Sequence, residues 1–513
     1  MRLGIDVGGT HTDAVIMDGR SVLASHKAVT SGDITHGIVA AAKKVLAESR
    51  VAATEVESVA IGTTQFTNAV VQRRNLAEVA AIRIGAQSTA ALPPFMEWPA
   101  DLLESARGPS YMLDGGYEYD GTEILPLDER GLDAAVEDIG KRRITAVGIC
   151  GIFSPVNPAL EDRVAARLKE AWPDLYVATS HELGGLGLYQ RENASLLNAA
   201  LMPLATKVIG GFERAFDALG VNAPLFISQN DGTLMRGESA IRYPVLTFAS
   251  GPTNSMRGAA FLSGISDGMV IDVGGTTSDI GMLIRGFPRP SGTTVEIGGV
   301  LTNFRMPDVM AVGLGGGSVV SDNGERVGPV SVGYELASKG LCFGGEVTTA
   351  TDIGVASGLV QLGDAAKVRG IAGDIVDAAM RRIEALMADG IDRMRTSKEK
   401  LPLVAVGGGA FLVPETVPGI SEVVCPAEAG VANAIGAALA QVGAEAEVVY
   451  SRGEGSRERA LEEACIAAKA KAASAGAEPG SIDIVEVDET PMSYLAEPAV
   501  RLRVKAVGNA AHS

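Results

Sequence analysis

A nine-residue phrase occurs twice in this chain: Ile5-Asp-Val-Gly-Gly-Thr-His-Thr-Asp13 returns as Ile271-Asp-Val-Gly-Gly-Thr-Thr-Ser-Asp279, with seven of nine positions identical. The copies lie 266 residues apart, far outside the roughly 20 to 50 residue period of a solenoid, so two related domains explain them. In each copy an apolar run ends at an aspartate, two glycines allow close backbone approach, and hydroxyl residues follow at the turn. That combination suits the cradling of a phosphate. After the first copy the chain reads Asp13-Ala-Val-Ile-Met-Asp-Gly-Arg-Ser-Val-Leu23, two short apolar runs joined by Asp18-Gly19, which is a hairpin signal. The loop therefore joins strand to strand.

A Walker loop and a dinucleotide fingerprint both run from strand into helix, and neither GxxxxGK[ST] nor GxGxxG fits here. A strand, DxGGT turn, strand unit present twice resembles the paired phosphate hairpins of the actin, heat-shock ATPase and sugar-kinase superfamily, whose two loops face each other across a cleft. The resemblance implies an α/β fold of two actin-like (ribonuclease H-like) ATPase domains around a nucleotide cleft. It also implies ATP and Mg²⁺ as cofactors. Asp6 and Asp272 would hold the metal directly or through water. Gly8, Gly9, Thr10, Thr12, Gly274, Gly275, Thr276 and Thr277 would meet phosphate oxygens.

Leu403-Val-Ala-Val-Gly-Gly-Gly-Ala-Phe-Leu412, an apolar strand entering three glycines, matches the superfamily's adenosine motif. There the backbone of Gly407, Gly408 and Gly409 would lie close to base and ribose. The small-residue pattern from Ala429 to Ala440 resembles the second interdomain helix, and the stretch from Arg191 toward Phe216 the first. A further cluster containing Gly315 and Gly316 follows an apolar run. It reads either as a contact to nucleotide or substrate, or as a glycine turn between buried strands.

Seven segments in order narrow the resemblance to the hydantoinase/oxoprolinase family: IDVGGTHTDAVI, IGTTQFTNAVVQR from Ile61, SHELGGLGLYQRENASLLNAAL from Ser180, LFISQNDGTLM from Leu225, PVLTFASGPTNSMRGA from Pro244, the second phosphate loop, and VMAVGLGGGSV from Val309. Family membership implies an ATP-dependent hydrolase subunit that activates the carbonyl of a cyclic amide or imide (hydantoin, lactam or 5-oxoproline-like) before ring opening, commonly beside a second, B-type subunit. A small-molecule kinase, a nucleotide-gated activating ATPase and an ATP-dependent carboxylase subunit need the same loops. Motif matches suggest Thr63, Thr64, Thr67 and Asn68, then Asn230, Asp231, Ser250 and Gly251, as groups facing the terminal phosphate. Thr63, Thr64 and Asn68 also read as a helix-capping turn, and Asn230-Asp231-Gly232 as a plain turn. Candidate general bases are Asp13, Asp231 and Asp279. The chain departs from long family members in length, at Ile61, at Val332–Glu346 and after Gly409. These departures bear on substrate choice more than on ATP.

The remaining expectations come from composition. At 513 residues the chain calls for several domains, read as 1–190, 191–445 and a small C-terminal α+β appendage at 446–513. A net charge of −18 with no long Lys/Arg run gives little support to a nucleic-acid surface. The four cysteines, Cys150, Cys342, Cys425 and Cys465, show no metal spacing and read as buried free thiols. No uninterrupted apolar run reaches the ~18 to 20 residues of a membrane span, and the first residues carry no basic leader. A cytoplasmic protein is the resulting expectation, with homo-oligomer formation left open.

Overall fold

The structure is a computed structural model; it describes all residues except 9–10, 30–33, 293, 305, 452–454, 493–498 and 512–513. Both copies of the repeated phrase fold as hairpins with one geometry. In the first, β1 (Arg2–Val7) pairs antiparallel with β2 (His11–Asp18), aligning Asp6 with Asp13. In the second, β3 (Gly268–Val273) pairs with β4 (Ser278–Ile284), aligning Asp272 with Asp279. Each turn is closed by the same bond, Gly8 N–H to the His11 carbonyl and Gly274 N–H to the Thr277 carbonyl, both 2.9 Å. The hairpin after the first copy turns at Gly19, whose φ of +54° is left-handed.

Each hairpin lies in its own sheet. The second belongs to a sheet whose main path has five strands, with Val309–Val312 also paired on β4 and β5 (Leu401–Val406) beside β3. The first belongs to a nine-stranded sheet in which β1 pairs parallel with Ser58–Thr63, and that strand with Leu225–Ser228. A third, parallel sheet of four strands is built between Val79 and Thr179. The nine-stranded sheet crosses the expected boundaries at 190 and 445. It takes in Leu225–Ser228 and Leu234–Arg236, and continues through Val442–Ser451, Ala499–Gly508 and Asp483–Met492. The C-terminal α+β segment is thus not set apart from the first phosphate loop: its strands are hydrogen-bonded into that loop's sheet, and the helix Ser456–Ser474 buries its alanines against them.

Three helices organise the middle of the molecule. Helix α1 (Leu188–Ala218), the expected first connecting helix, is 31 residues long and buries its apolar residues in the cores of the four-stranded and nine-stranded sheets. Among the described residues it is the one helix long and apolar enough to cross a bilayer, but most of that stretch is interior. Helix α2 (Ser250–Ser263) crosses α3 (Ala432–Leu439), the expected second connecting helix, and small residues set their distance. A Cβ built on Gly258 would fall 1.8 Å from the Ala432 carbonyl oxygen, one on Gly436 1.9 Å from that of Asn254, and one on Gly4 2.3 Å from that of Ala434. No other residue fits at these points.

Candidate active site

The two hairpins, the glycine turn after β5, and α2 and α3 converge on one cleft of about 640 Å³. Asp6, Gly8, His11 and Asp13 come to it from the first hairpin, and Asp272, Gly274, Gly275, Thr276, Thr277 and Asp279 from the second. Gly9 and Thr10 lie outside the described residues. Thr12 is buried in β2 and does not line the cleft, because Asp6 and Asp13 share one face of the sheet and Thr12 takes the other.

Three of the four aspartates are held by groups from the crossing helices. Asn254 donates its amide to Asp6 Oδ1 at 3.0 Å, and Asn433 donates to Asp6 Oδ2 at 3.1 Å and Asp13 Oδ2 at 2.9 Å. Ser255 donates its hydroxyl to Asp272 Oδ2 at 2.5 Å. Lys27, on the strand Ser21–Val29 that pairs with the other edge of β2 and aligned there with Asp13, places Nζ 2.6 Å from Asp13 Oδ1 and 2.8 Å from Oδ2. Burial, with the charges of Asp13 and Asp272 nearby, pushes Asp6 up to about 6. Burial and the Asp272 charge push Asp279 up to about 7, and burial also raises Asp272. Crowded, desolvated carboxylates of this kind gain from a cation. Among the described residues no three His, Cys, Asp or Glu side chains form a protein-only metal cage. A cation held here would draw most of its ligands from water and phosphate, which is the habit of Mg²⁺.

The glycine-rich segments act partly through the protein itself. Gly407 has φ +89°, and a Cβ there would lie 2.2 Å from Asp272 Oδ1; one on Gly409 would lie 2.6 Å from Val273 Cγ1. Gly408 opens onto the cleft with nothing near its Cβ position. Gly315 packs behind the second loop, its Cβ position 2.7 Å from the Thr276 nitrogen, while Gly316 lines the cleft and donates N–H to the Gly274 carbonyl at 2.9 Å. Gly315 thus has the packing place of a glycine turn, and Gly316 the place at the cleft wall. Thr351 fastens it from behind, donating Oγ to the Gly316 carbonyl at 2.8 Å.

Helix α2 begins at the cleft. Ala249, with φ +57°, makes the left-handed entry, and Gly251, Pro252 and Ser255 line the cavity, so the helix N-terminus is available to an anion. Tyr334, Leu336, Phe343, Leu362 and Phe411 give part of the lining an apolar, aromatic character suited to a flat base. Three of these, Tyr334, Leu336 and Phe343, come from the Val332–Glu346 segment that departs from the long family pattern.

Several expected substrate contacts are elsewhere. Of Thr63, Thr64 and Asn68, Thr64 alone lines the cleft; Thr63 Oγ accepts from Gln65 N–H at 3.3 Å and Asn68 donates to Thr64 Oγ at 3.3 Å, and Thr64, the N-cap residue, makes no side-chain cap bond. Asp231 does not reach the cleft. Its carboxylate lies 2.6 Å from Lys505 Nζ and 2.6 Å from the Thr233 hydroxyl, and with Asn230 it borders a separate cavity of about 630 Å³ under the C-terminal segment. A carboxylate outside the cleft is no base for chemistry within it, which leaves Asp13 and Asp279 as candidates. His181 is likewise remote, its Nδ1 2.8 Å from Glu161 Oε2. Sequence reasoning missed Lys27, Asn254, Ser255 and Asn433. Their signal was a polar residue inside a small-residue helix, or opposite Asp13 in the hairpin.

Residues 2–172 match the family described as hydantoinase/oxoprolinase N-terminal region, and residues 191–370 match hydantoinase/oxoprolinase. The chain belongs to the hydantoinase/oxoprolinase family. Among curated members, caprolactamase subunit alpha of Pseudomonas jessenii is 28% identical over 388 residues, covering 71% of this chain and 55% of its own. The acetophenone carboxylase gamma subunit of Aromatoleum aromaticum is 25% identical over 398 residues, covering 70% of this chain and 53% of its own. The chain thus spans about half the length of these relatives. Among solved structures, ATP-dependent caprolactamase from Pseudomonas jessenii superposes with a TM-score of 0.76 at 20% identity, covering 99% of this chain and 87% of that one. Nucleotide-free acetone carboxylase gives 0.67 at 19% identity, covering 99% and 87%. Both share the fold of this hydantoinase/oxoprolinase chain, the α/β architecture that the two hairpins led us to expect.

Proposed function

We propose that this chain is the ATP-using subunit of an enzyme that activates the carbonyl of a cyclic amide or imide by phosphoryl transfer, ahead of ring opening. The observation that carries this is the pair of hairpins in identical register, Asp6 opposite Asp13 and Asp272 opposite Asp279, facing one cleft. Family membership and the relatives named above support the amide part of the reading.

An amide carbonyl is a poor electrophile and its nitrogen a poor leaving group. Transfer of the terminal phosphoryl group to the carbonyl oxygen makes an imidate-like phosphate whose carbon accepts water. The protein's part is to position and to stabilise charge. The backbone of the second turn and the start of α2 would present N–H groups to the phosphates, and the aromatic end of the lining would take the base. Asp6 and Asp272 would hold Mg²⁺ largely through water, and the ion would neutralise charge on the phosphate oxygens when bound. Asp279, poised near neutrality, and Asp13 are the carboxylates able to take a proton from a nucleophile.

A second, B-type subunit fits this division of labour, and the subunit names of two relatives support it. The test is ATP turnover by the purified protein, alone and with the product of a candidate partner gene, against hydantoins, lactams, imides and sugars. Stimulation by one cyclic amide with a ring-opened product is expected. Release of a phosphorylated small molecule would replace the reading with a kinase, and turnover indifferent to every compound would replace it with an activating ATPase.

A further inference from the structure

Phosphoryl transfer brings three charged oxygens into a cleft already lined by Asp6, Asp13, Asp272 and Asp279. A metal ion answers part of that repulsion; a protein cation answers the rest. Among the described residues lining the cleft there is one lysine, Lys27, and no arginine. Its side chain is 35% exposed, against 3% for Asp13, so the lysine is the more solvent-accessible member of the pair.

An ammonium has three donors. One donates to Asp13 Oδ2 at 2.8 Å, with Oδ1 2.6 Å from Nζ, which leaves donor capacity for a further acceptor. Asn433 donates to the same Oδ2 of Asp13 that Lys27 meets, and ties that carboxylate to Asp6. Lys27 itself is carried on the strand Ser21–Val29 next to β2, and strand pairing fixes it opposite Asp13. Its flexible stem adds reach that the strand does not constrain. The result is a cation anchored to a carboxylate and bordering the space where the two phosphate turns meet.

We propose that Lys27 is a nucleotide-contacting residue: its remaining N–H binds the terminal phosphate while the ammonium stays paired with Asp13, so that one cation holds the transferring group beside a candidate base. This rests on the reading of the cleft as an ATP site. Without the lysine, two anions would have to approach each other in a desolvated space. With it, the pair Asp13 and Lys27 contributes no net charge, and the third donor meets the phosphate in a charge-assisted bond.

The contact predicts discrimination between triphosphate and diphosphate. Binding of Mg-AMPPNP and of Mg-ADP to the full chain is measured by calorimetry for wild type, Lys27→Met, Lys27→Gln and Lys27→Arg, each first checked for a native thermal transition. Loss of one charge-assisted bond is expected to weaken Mg-AMPPNP roughly 10- to 100-fold in the neutral variants, with Mg-ADP within about threefold of wild type, and Lys27→Arg is expected to recover most of the loss. Lys27→Gln serves if the methionine variant does not fold. Equal losses for both nucleotides, or no loss for either, would overturn the assignment. Wild type binding neither nucleotide would instead overturn the reading of the cleft on which it rests.

Discussion

Gly258 lies so close to Ala432 that a Cβ on it would stand 1.8 Å from the Ala432 carbonyl oxygen. The crossing of α2 and α3 is therefore set by backbone contact, and it delivers Asn254, Ser255 and Asn433 to three of the four cleft aspartates. Gly258→Ala must push the helices apart. We expect a loss of about 1 to 3 kcal/mol in urea unfolding, together with weaker Mg-nucleotide binding at temperatures where the variant is fully folded. Wild-type binding in a folded Gly258→Ala protein would show that the helices do not position the site.

Asp6→Asn and Asp272→Asn test the duplicated motif. Each removes one charge from a crowded carboxylate group, so the thermal midpoint is expected to stay level or rise. ATP turnover is expected to fall on the order of 100-fold or more, since the stabilisation lost is that of charge in the transition state. Unchanged turnover in both purified variants would remove these residues from the mechanism.

Asp231→Asn should do the opposite. Lys505 is 5% exposed and its described carboxylate partner is Asp231, so the substitution strands a buried ammonium. Stability is expected to drop by roughly 3 to 5 kcal/mol, while ATP turnover per folded molecule stays within a few-fold of wild type. Folded fraction by circular dichroism, set against turnover at 15 °C, separates the two effects.

His181 and Glu161 give a pH dependence of stability. The bond to the buried Glu161, with Glu182 and Asp162 nearby, raises His181 above 6.5 despite burial. Its contribution is fully present below that unfolded value and is lost as pH rises through the folded one. Glu161, lowered from 4.5 against its burial by bonds from His181 and Ser180 and by Arg191, loses its contribution as pH falls through the depressed value. His181→Gln should therefore cost about 1.5 to 3 kcal/mol in urea unfolding at pH 6 and less at pH 9; equal costs at the two pH values would rule out the charged pair.

The phosphate turns were legible in the sequence because they are local: one hairpin fixes the relation of Asp6 to Asp13, and repetition supplies the second. The glycine strand and both connecting helices were legible for the same reason. Asn254, Ser255 and Asn433 were not, since what aims them is a helix crossing between residues nearly 180 apart, and Asn433 alone looks like a polar interruption in an alanine run. Asp231 misled because an Asn-Asp-Gly turn carries no sign of Lys505, which reaches it from the far end of the chain. The boundaries at 190 and 445 followed changes of composition, whereas strand pairing ignores composition and joined Leu225–Arg236 and Val442–Gly508 to the first sheet.

That joined sheet bears on the order in which the molecule assembles. The sheet of the second hairpin is complete within residues 268–424, so it can form from neighbouring chain as that stretch emerges. The sheet of the first hairpin takes its outer strands from as far as Gly508, and its loop closures are the longest in the protein. The first loop itself is flanked by β2 and Ser58–Thr63, while the far edge of its sheet is closed only by the pairing of Val442–Ser451, Ala499–Gly508 and Asp483–Met492.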